Sequence, residues 1–307
     1  MNQITQRIWY NIRPTSLLLG IGAVLAGLAA SVLRGGVVLF PALMSLLCAV
    51  LFQMSANLYY GYRKAKHIVE NDAVRMRRID DPDGYFLMRI ISNVCAILAI
   101  TMAMPLFMRL RWISLVYLAL ILGIVYFHFS GPHPLVKTRW SVLVTFILFG
   151  PIAVSGTALI QNLYNTDMTP ILVYSAISGL LAVNTHLAIQ YLRKAADIKD
   201  GMETLLESKG TNMVRHLYLI NSLAVCIIFT VFSGDLGFES RFVGVALSIL
   251  LLCTSIAVCL LMRREDTGTA LKIRLFVIVQ YVAVMVTLLC IVLVSMQSYW
   301  VTFLTIR

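Results

Sequence analysis

The stretch VVLFPALMSLLCAVLFQMSANLYY, residues 37–60, contains no charged residue, and the basic triplet Arg63-Lys64-Ala65 follows it closely. A helix needs about 20 predominantly apolar residues to cross a bilayer, so this stretch predicts a membrane-spanning helix with a charged end. Residues 170–192 have the same character and lead directly into Arg193-Lys194-Ala195. These two stretches point to a membrane protein, because soluble domains rarely contain uncharged runs of this length.

The composition extends this interpretation to the whole chain. Of the 307 residues, 60% are hydrophobic and only 13% are charged, with a mean hydropathy of +0.86. Soluble domains average roughly 45–50% apolar and 25% charged residues, so a soluble single domain is excluded. Apolar runs occur at about 16–33, 37–60, 90–108, 112–129, 140–161, 170–192, 214–232, 243–262 and 275–296. We therefore predict an all-α integral membrane protein with nine transmembrane helices.

The net charge of +11 would suggest nucleic acid in a soluble protein, but here it is first a topology signal. If the nine spans alternate in direction, 20 of the 25 Lys and Arg residues fall on one side of the membrane. This asymmetry predicts a multi-pass protein of the cytoplasmic (inner) membrane, with a cytoplasmic N-terminus, an external C-terminus and no nucleic-acid partner. The six cysteines lie in apolar runs without CxxC spacing, which favours small buried side chains over disulfides or metal ligands.

The two basic span ends also resemble each other. Leu58, Tyr62 and Arg63-Lys64-Ala65 in the second span correspond to Leu187, Tyr191 and Arg193-Lys194-Ala195 in the sixth, with the triplets 130 residues apart. The similarity favours two parallel-oriented repeats within a single membrane domain, residues 1–307. The halves would be about 10–130 and 135–262, followed by a last helix at about 275–296. Coincidence is the alternative, since basic residues end many cytoplasmic spans.

Polar residues near the basic side are the candidates for chemistry. Two basic helix ends would suit a phosphate or diphosphate, although the residues alone favour ordinary anchoring to acidic lipid. Asn57 and Asn184 lie within spans, where an amide either contacts a ligand or ties helices together. Glu70 and nearby aspartates could ligate Mg²⁺, but the residues alone favour a solvated turn. His186 has no second histidine at helical spacing, which favours packing over metal binding.

Several segments, taken in order, resemble the UbiA superfamily of intramembrane prenyltransferases, and most of all its 1,4-dihydroxy-2-naphthoate polyprenyltransferase branch of menaquinone synthesis. The resemblance covers roughly residues 10–215. It rests on Arg13-Pro14-Thr15, Gln53, Asn57-Leu58, Gly131-Pro132-His133-Pro134-Leu135, Phe149-Gly150-Pro151, Gly156-Thr157, Gln161, Asp197, Asp200-Gly201 and Thr204-Leu205. It implies a ring of nine helices built from two four-helix repeats and a final helix.

The resemblance also implies a chemistry. Enzymes of this family hold Mg²⁺ with aspartates from two motifs, and the metal binds a prenyl diphosphate whose allylic cation alkylates an aromatic ring. Here the aspartate positions of the first motif fall on Gly61 and Lys64, and those of the second fall on Arg193 and Ala195. Glu70 and Asp197 remain as metal ligands, whereas Lys64 and Arg193 would place fixed positive charges on the diphosphate. The implied substrate-binding residues are Arg13, Asn57, Asn184, Lys194 and Lys199.

Because the family's aspartates are replaced at these positions, three functions stay open. The first is a divergent prenyltransferase that joins a polyprenyl diphosphate to an aromatic acceptor such as dihydroxynaphthoate, with or without Mg²⁺. The second is a protein of the same fold that binds an isoprenoid or another anionic lipid without turnover. The third is a scaffold for a quinone-pathway enzyme. A transporter is less favoured, because the spans contain almost no charge at mid-depth.

Overall fold

The computed structural model describes residues 8–9, 11–71, 82–130, 134–199, 201–232, 241–263 and 267–305. Over these residues the chain is helical apart from short connections, and the one β-bridge among them joins Thr138 to Glu203. The α-helices, in chain order, are α1 Pro14–Leu33, α2 Leu39–Asn71, α3 Pro82–Leu110, α4 Ile113–Val125, α5 Ser141–Ile147, α6 Ala153–Gln161, α7 Thr169–Lys199, α8 Leu205–Val231, α9 Arg241–Leu261 and α10 Thr267–Thr305.

Within the described residues, eight segments are long and apolar enough to cross a membrane. They are Ser16–Leu33, Leu39–Arg63, Tyr85–Leu110, Ser141–Gln161, Thr169–Ala195, Leu205–Val231, Phe242–Leu261 and Gly268–Val294. The fourth predicted span corresponds to a shorter apolar helix, Ile113–His128. A π-helical turn, Leu148–Ile152, joins α5 to α6 within one span. The predicted fold class is confirmed, and the chain is a multi-pass membrane protein.

The helices continue beyond the predicted spans at their charged ends. Helix α2 runs to Asn71, and α3 begins at Pro82. Apolar content marks only the part of a helix that lies in hydrocarbon, whereas the backbone remains helical in water where no breaker intervenes. Proline is favourable at the first helical position, which explains the start of α3. Helix α8 begins at Leu205, before the predicted span, and kinks at Gly210, whose φ is +81°.

The chain divides into two compact units. The first contains the described residues up to Ile21 together with Phe40–Arg109. Within it, α2 and α3 are joined by Ser92, whose hydroxyl donates to the Ser55 carbonyl over 2.9 Å. Cys48 Sγ lies 3.5 Å from the Ala99 carbonyl oxygen on the same pair of helices. The predicted repeat halves, about 10–130 and 135–262, remain a prediction.

The second unit contains Gly22–Leu39 and the described residues from Leu110 onward. Helices of this unit pack closely against each other. A Cβ atom added at Gly150 would lie only 2.6 Å from the Ser175 carbonyl oxygen. Its core cluster consists of Val183, Leu187, Ala188, Leu206, Val214, Tyr218, Val258, Cys259, Met262, Ile273 and Val277. All six cysteines of the chain are free, and Cys253 and Cys290 are exposed, contrary to the expectation that every cysteine would be buried.

A hydrogen-bonded network of uncharged side chains crosses the second unit near the middle of its spans. Asn184 of α7 donates to Ser222 of α8, which accepts from Ser255 of α9, and both distances are 2.8 Å. Gln280 of α10 donates to Ser255 and accepts from the Tyr218 hydroxyl, at 2.8 and 2.7 Å. Four helices are thereby tied together without a buried charge in this network.

Candidate functional site

Asn57 lies in α2 and fixes the segment that precedes α1. Its Nδ2 donates to the Ile12 carbonyl at 2.8 Å and to Ser16 Oγ at 2.7 Å. A carbonyl can only accept, so this contact fixes which end of the amide is nitrogen. Oδ1 has no donor among the described residues, and the residue keeps 7% of its surface exposed. Asn57 thus retains one acceptor for a ligand or water.

Arg13 adopts a conformation that few side chains tolerate. Its φ is +52°, in the left-handed region, and its carbonyl accepts from the backbone N–H of Ser16 at 2.8 Å. Its guanidinium lies over the Tyr60 ring, 5.1 Å from the centroid. The cation–π contact holds the positive charge next to α2, one turn from Asn57. Arg13 was predicted to bind substrate, and it lies beside the predicted motif.

Gly61, where the resembling family has an aspartate, is closely covered by another residue. A Cβ atom at this position would lie 2.4 Å from Asn11 Oδ1, so any side chain there must displace the Asn11 amide. The next cation along the helix, Arg63, is exposed. The side chains of Lys64 and Glu70 lie outside the described part of the structure, although the α2 backbone around them is described.

In the second unit, the two charged residues of the second predicted motif face each other. Arg193 Nε lies 3.7 Å from Asp197 Oδ1, and the two side chains are 26% and 9% exposed. They are four residues apart on α7, the spacing at which side chains on a helix face meet. Lys194 is exposed beside them, and the Lys199 side chain lies outside the described residues. The pair neutralises the acid that was predicted to hold a metal.

The chain turns back directly after this pair. Gly201 has a φ of +63°, and the backbone N–H of Met202 donates to the Asp197 carbonyl at 3.0 Å. Thr204 then caps α8, because its hydroxyl accepts from the Glu207 backbone N–H at 3.3 Å. This turn explains the Asp-Gly and Thr-Leu elements of the sequence: glycine permits the left-handed turn and threonine begins the next helix.

Three solved structures are similar to this chain over nearly its whole length. A UbiA homologue from Archaeoglobus fulgidus aligns with a TM-score of 0.59 and 12% identity, covering 94% of this chain and 99% of that one. A UbiA homologue from Aeropyrum pernix K1 gives 0.58 and 14%, with coverages of 96% and 100%. A digeranylgeranylglyceryl phosphate synthase gives 0.57 and 13%, with coverages of 94% and 99%. No protein-family model and no curated protein matches the chain.

The chain has the UbiA fold. At 12–14% identity the similarity establishes the helix arrangement and leaves the chemistry to the residues of this chain. The prediction of the UbiA fold from short segments such as Asn57-Leu58 and Phe149-Gly150-Pro151 is therefore confirmed. The dihydroxynaphthoate branch stays a prediction.

The two-motif Mg²⁺ site that the UbiA resemblance implies stays a prediction, because the Glu70 side chain lies outside the described residues. Among them, no group of three His, Cys, Asp or Glu side chains comes close enough to hold a metal ion. Mg²⁺ takes oxygen ligands in near-octahedral geometry at about 2.0–2.1 Å. Asp197 is instead paired with Arg193, and the Gly61 position is covered by Asn11. No step of the chemistry below is therefore assigned to a metal.

The contact partners of Asn184 and His186 in this UbiA-fold chain were not apparent from the sequence. Asn184, predicted to bind substrate, has both ends of its amide engaged, because its Oδ1 accepts from Asn221 at 3.2 Å while Nδ2 donates to Ser222. His186 forms a triangle with Ser141 and Gln190, at 3.0 and 2.9 Å, as expected for a packed histidine. Gln190 is one helical turn from His186, but the other side-chain partners lie 37–49 residues away in sequence, and neither periodicity nor spacing reveals such pairings.

Proposed function

We propose that this chain is a divergent UbiA-type membrane prenyltransferase that transfers a polyprenyl group from its diphosphate to an aromatic acceptor such as dihydroxynaphthoate. The observation that carries the proposal is the UbiA fold, which extends over 94–96% of the chain. One structural neighbour is a synthase of a geranylgeranyl lipid phosphate, which shows that this fold accommodates isoprenoid chemistry in that protein. We place the protein in the cytoplasmic membrane with its N-terminus inside, because 20 of its 25 basic residues would then face the cytoplasm.

The orientation of Arg193 supports a site based on fixed cations. Asp197 Oδ1 lies 3.7 Å from Nε of the guanidinium, and the Arg193 side chain is 26% exposed. A guanidinium held in this way can present its Nη atoms to a phosphate in a bidentate arrangement. In this proposal Asp197 acts as a positioning residue for the cation, and Lys64, Lys194 and Lys199 would add further positive charge.

The main catalytic requirement of this reaction is to stabilise the negative charge of the departing diphosphate. When the C1–O bond of the prenyl diphosphate breaks, the electron pair leaves with the diphosphate, and the prenyl chain becomes an allylic cation. The π-electrons of the aromatic ring form the new carbon–carbon bond, and the ring then loses a proton. Arg193 and Lys64 would stabilise the developing negative charge on the departing oxygens. Asn57, with its unused Oδ1, and Arg13 would orient the substrate.

The experiment uses the purified full-length protein in neutral detergent with polyprenyl diphosphate and dihydroxynaphthoate. We expect diphosphate release that survives EDTA and falls at least about 100-fold in Arg193→Ala combined with Lys64→Ala, as for loss of a transition-state charge contact. Lys209→Ala, an exposed cation outside the motifs, is the matched control and should retain activity. Release that requires Mg²⁺ and disappears in Glu70→Gln or Asp197→Asn would contradict the cation mechanism and restore the metal.

A second function, lipid binding without turnover, is favoured by the neutralised Asp197 and the covered Gly61 position. The same preparation distinguishes it. No diphosphate release, together with a polyprenyl diphosphate-dependent rise in melting temperature that is lost in Arg193→Ala, identifies a binder. If the protein neither releases diphosphate nor shows a rise in melting temperature, the remaining function is a scaffold for a quinone-pathway enzyme. Binding to that enzyme would then have to be measured.

A further inference from the structure

Arg34 is a fully buried cation at the end of the first span. It lies one residue beyond Ser16–Leu33 and is only 1% exposed. Its Nη2 donates to the Asn165 carbonyl. Its own carbonyl accepts from the side-chain amides of Asn162 and Asn165, each at 2.8 Å. Two connections, residues 34–38 and 161–165, are therefore joined around this arginine, and we call them the Arg34 joint.

The Arg34 joint contains buried donors that lack acceptors. Arg34 Nε and Nη1 have no partner among the described residues, and the same is true of Gln161 Nε2. The opposite end of the Gln161 amide accepts from the Val38 backbone N–H at 2.8 Å, which fixes its orientation. Buried charges in proteins are normally paired, because an unpaired one loses its hydration without compensation. Three unmatched donors in one joint indicate a missing acceptor.

Asp167, the acid whose charge acts on Arg34, does not fill this role. Burial lowers the pKa of Arg34, and the charge of Asp167 only partly offsets the effect. The Asp167 carboxylate instead accepts from the Thr169 backbone N–H at 3.0 Å, at the start of α7. Arg34 is thus a buried cation whose Nε and Nη1 have no acceptor among the described residues.

We infer that the Arg34 joint binds a phosphate group through the Arg34 guanidinium and the Gln161 amide. A phosphate carries several acceptor oxygens and matches the planar guanidinium. Arg34 follows the last residue of an apolar span, at the depth where lipid phosphates lie. Gly35 is exposed and has a φ of +115°, so the chain next to Arg34 carries no side chain that would block an approaching headgroup. The phosphate belongs either to a phospholipid or to the surrounding solution.

The test measures melting temperature by intrinsic tryptophan fluorescence on the full-length protein, delipidated in neutral detergent. One arm adds inorganic phosphate at constant ionic strength, and another adds phosphatidylglycerol in mixed micelles, with a neutral diacylglycerol as the lipid lacking phosphate. We expect stabilisation by at least one phosphate-bearing probe and none by diacylglycerol. Stabilisation by phosphatidylglycerol alone identifies a headgroup site, and stabilisation by both probes identifies a site open to free phosphate.

Variants assign the effect to the Arg34 joint. Arg34→Lys keeps the charge and loses the planar fork, so the apparent affinity should fall roughly tenfold, and Gln161→Leu should weaken it less. Arg111→Gln is the matched control, because Arg111 is an exposed arginine that contacts Tyr164 in the adjoining connection. Equal shifts in the wild type, Arg34→Lys and Arg34→Gln, or no shift with either phosphate probe, would overturn the assignment. If Arg34→Gln does not fold, Arg34→Lys and Gln161→Leu decide alone.

Discussion

Asn57 and Asn184 are both buried asparagines within membrane-spanning helices, and the sequence predicts the same substrate-binding role for both. Their environments differ. Asn57 uses only its Nδ2, on Ile12 and Ser16, and keeps Oδ1 without a donor among the described residues. Asn184 uses both ends of its amide, on Ser222 and Asn221. An amide engaged within the protein at both its oxygen and its nitrogen ties helices together, whereas one whose oxygen has no donor is available to a ligand.

The difference extends to the units around them. Asn184 belongs to a network that ends at Gln280 and ties four helices together in the second unit. Asn57 in the first unit ties one helix to the segment before α1, next to the cation–π pair of Arg13 and Tyr60. We therefore expect mutations in the network to affect stability and mutations around Asn57 to affect binding.

The largest expected effect is that of Gln280→Leu. Gln280 donates to Leu251, Thr254 and Ser255 and accepts from Tyr218, so its loss leaves several buried polar groups without partners. We expect a loss of about 2–3 kcal/mol in the free energy of unfolding. Titration with SDS in mixed micelles, followed by tryptophan fluorescence, measures it. Thr287→Val is the matched control, because that hydroxyl donates only to Ala283 on its own helix. Equal stability of the two variants would contradict the network.

Asn184→Leu and Asn57→Ala together test the comparison. Asn184→Leu should cost about 1–2 kcal/mol in stability and leave the Kd of the folded protein for polyprenyl diphosphate unchanged. Asn57→Ala should raise that Kd roughly tenfold, because it removes the available Oδ1. Ser16→Ala is the control, since it removes one partner of Nδ2 and leaves Oδ1 in place. Binding is measured by isothermal calorimetry in detergent, and a raised Kd in Asn184→Leu alone would reverse the assignment.

The membrane-spanning helices were predictable from the sequence because a segment has to be apolar to lie in the hydrocarbon of a bilayer. All nine apolar runs correspond to helices, from Ser16–Leu33 to Gly268–Val294, with Ile113–His128 as a short helix. The helix ends were less predictable. A helix segment that lies in water need not be apolar, so a scan for apolar runs missed the extension of α2 to Asn71.

The chemistry of the candidate site was predictable only in part. Short segments indicated the UbiA fold, and the substitution of Arg193 for an acid is evident in the sequence. The pairing of Arg193 with Asp197 follows from their spacing of four residues on α7. The contact of Asn11 with Gly61 and the unmatched donors of Arg34 involve residues far apart along the chain, and only the folded structure brings them together.

Arg193→Gln should have a smaller effect on stability than the network variants. It leaves the largely buried Asp197 carboxylate without its cation, and we expect a loss of about 1 kcal/mol, because solvent partly screens the pair. The same SDS titration measures it. Asp197→Asn in the Arg193→Gln background should recover most of the loss, whereas Lys194→Gln, an exposed neighbour, should change stability by less than about 0.5 kcal/mol. Without recovery in the double variant, the two side chains would not be coupled.

The smallest expected effect concerns the covered motif position, Gly61. Replacing a helical glycine by alanine stabilises a helix by roughly 0.5–1 kcal/mol, and Gly123→Ala in α4, where a Cβ atom meets no neighbour within 4 Å, should show this gain. Gly61→Ala should show little or none of it, because the new Cβ atom displaces the Asn11 side chain. In an Asn11→Gly background the gain should reappear. A full gain in Gly61→Ala alone would mean that Asn11 leaves room at position 61, and an acid would then be accommodated where the UbiA resemblance places one.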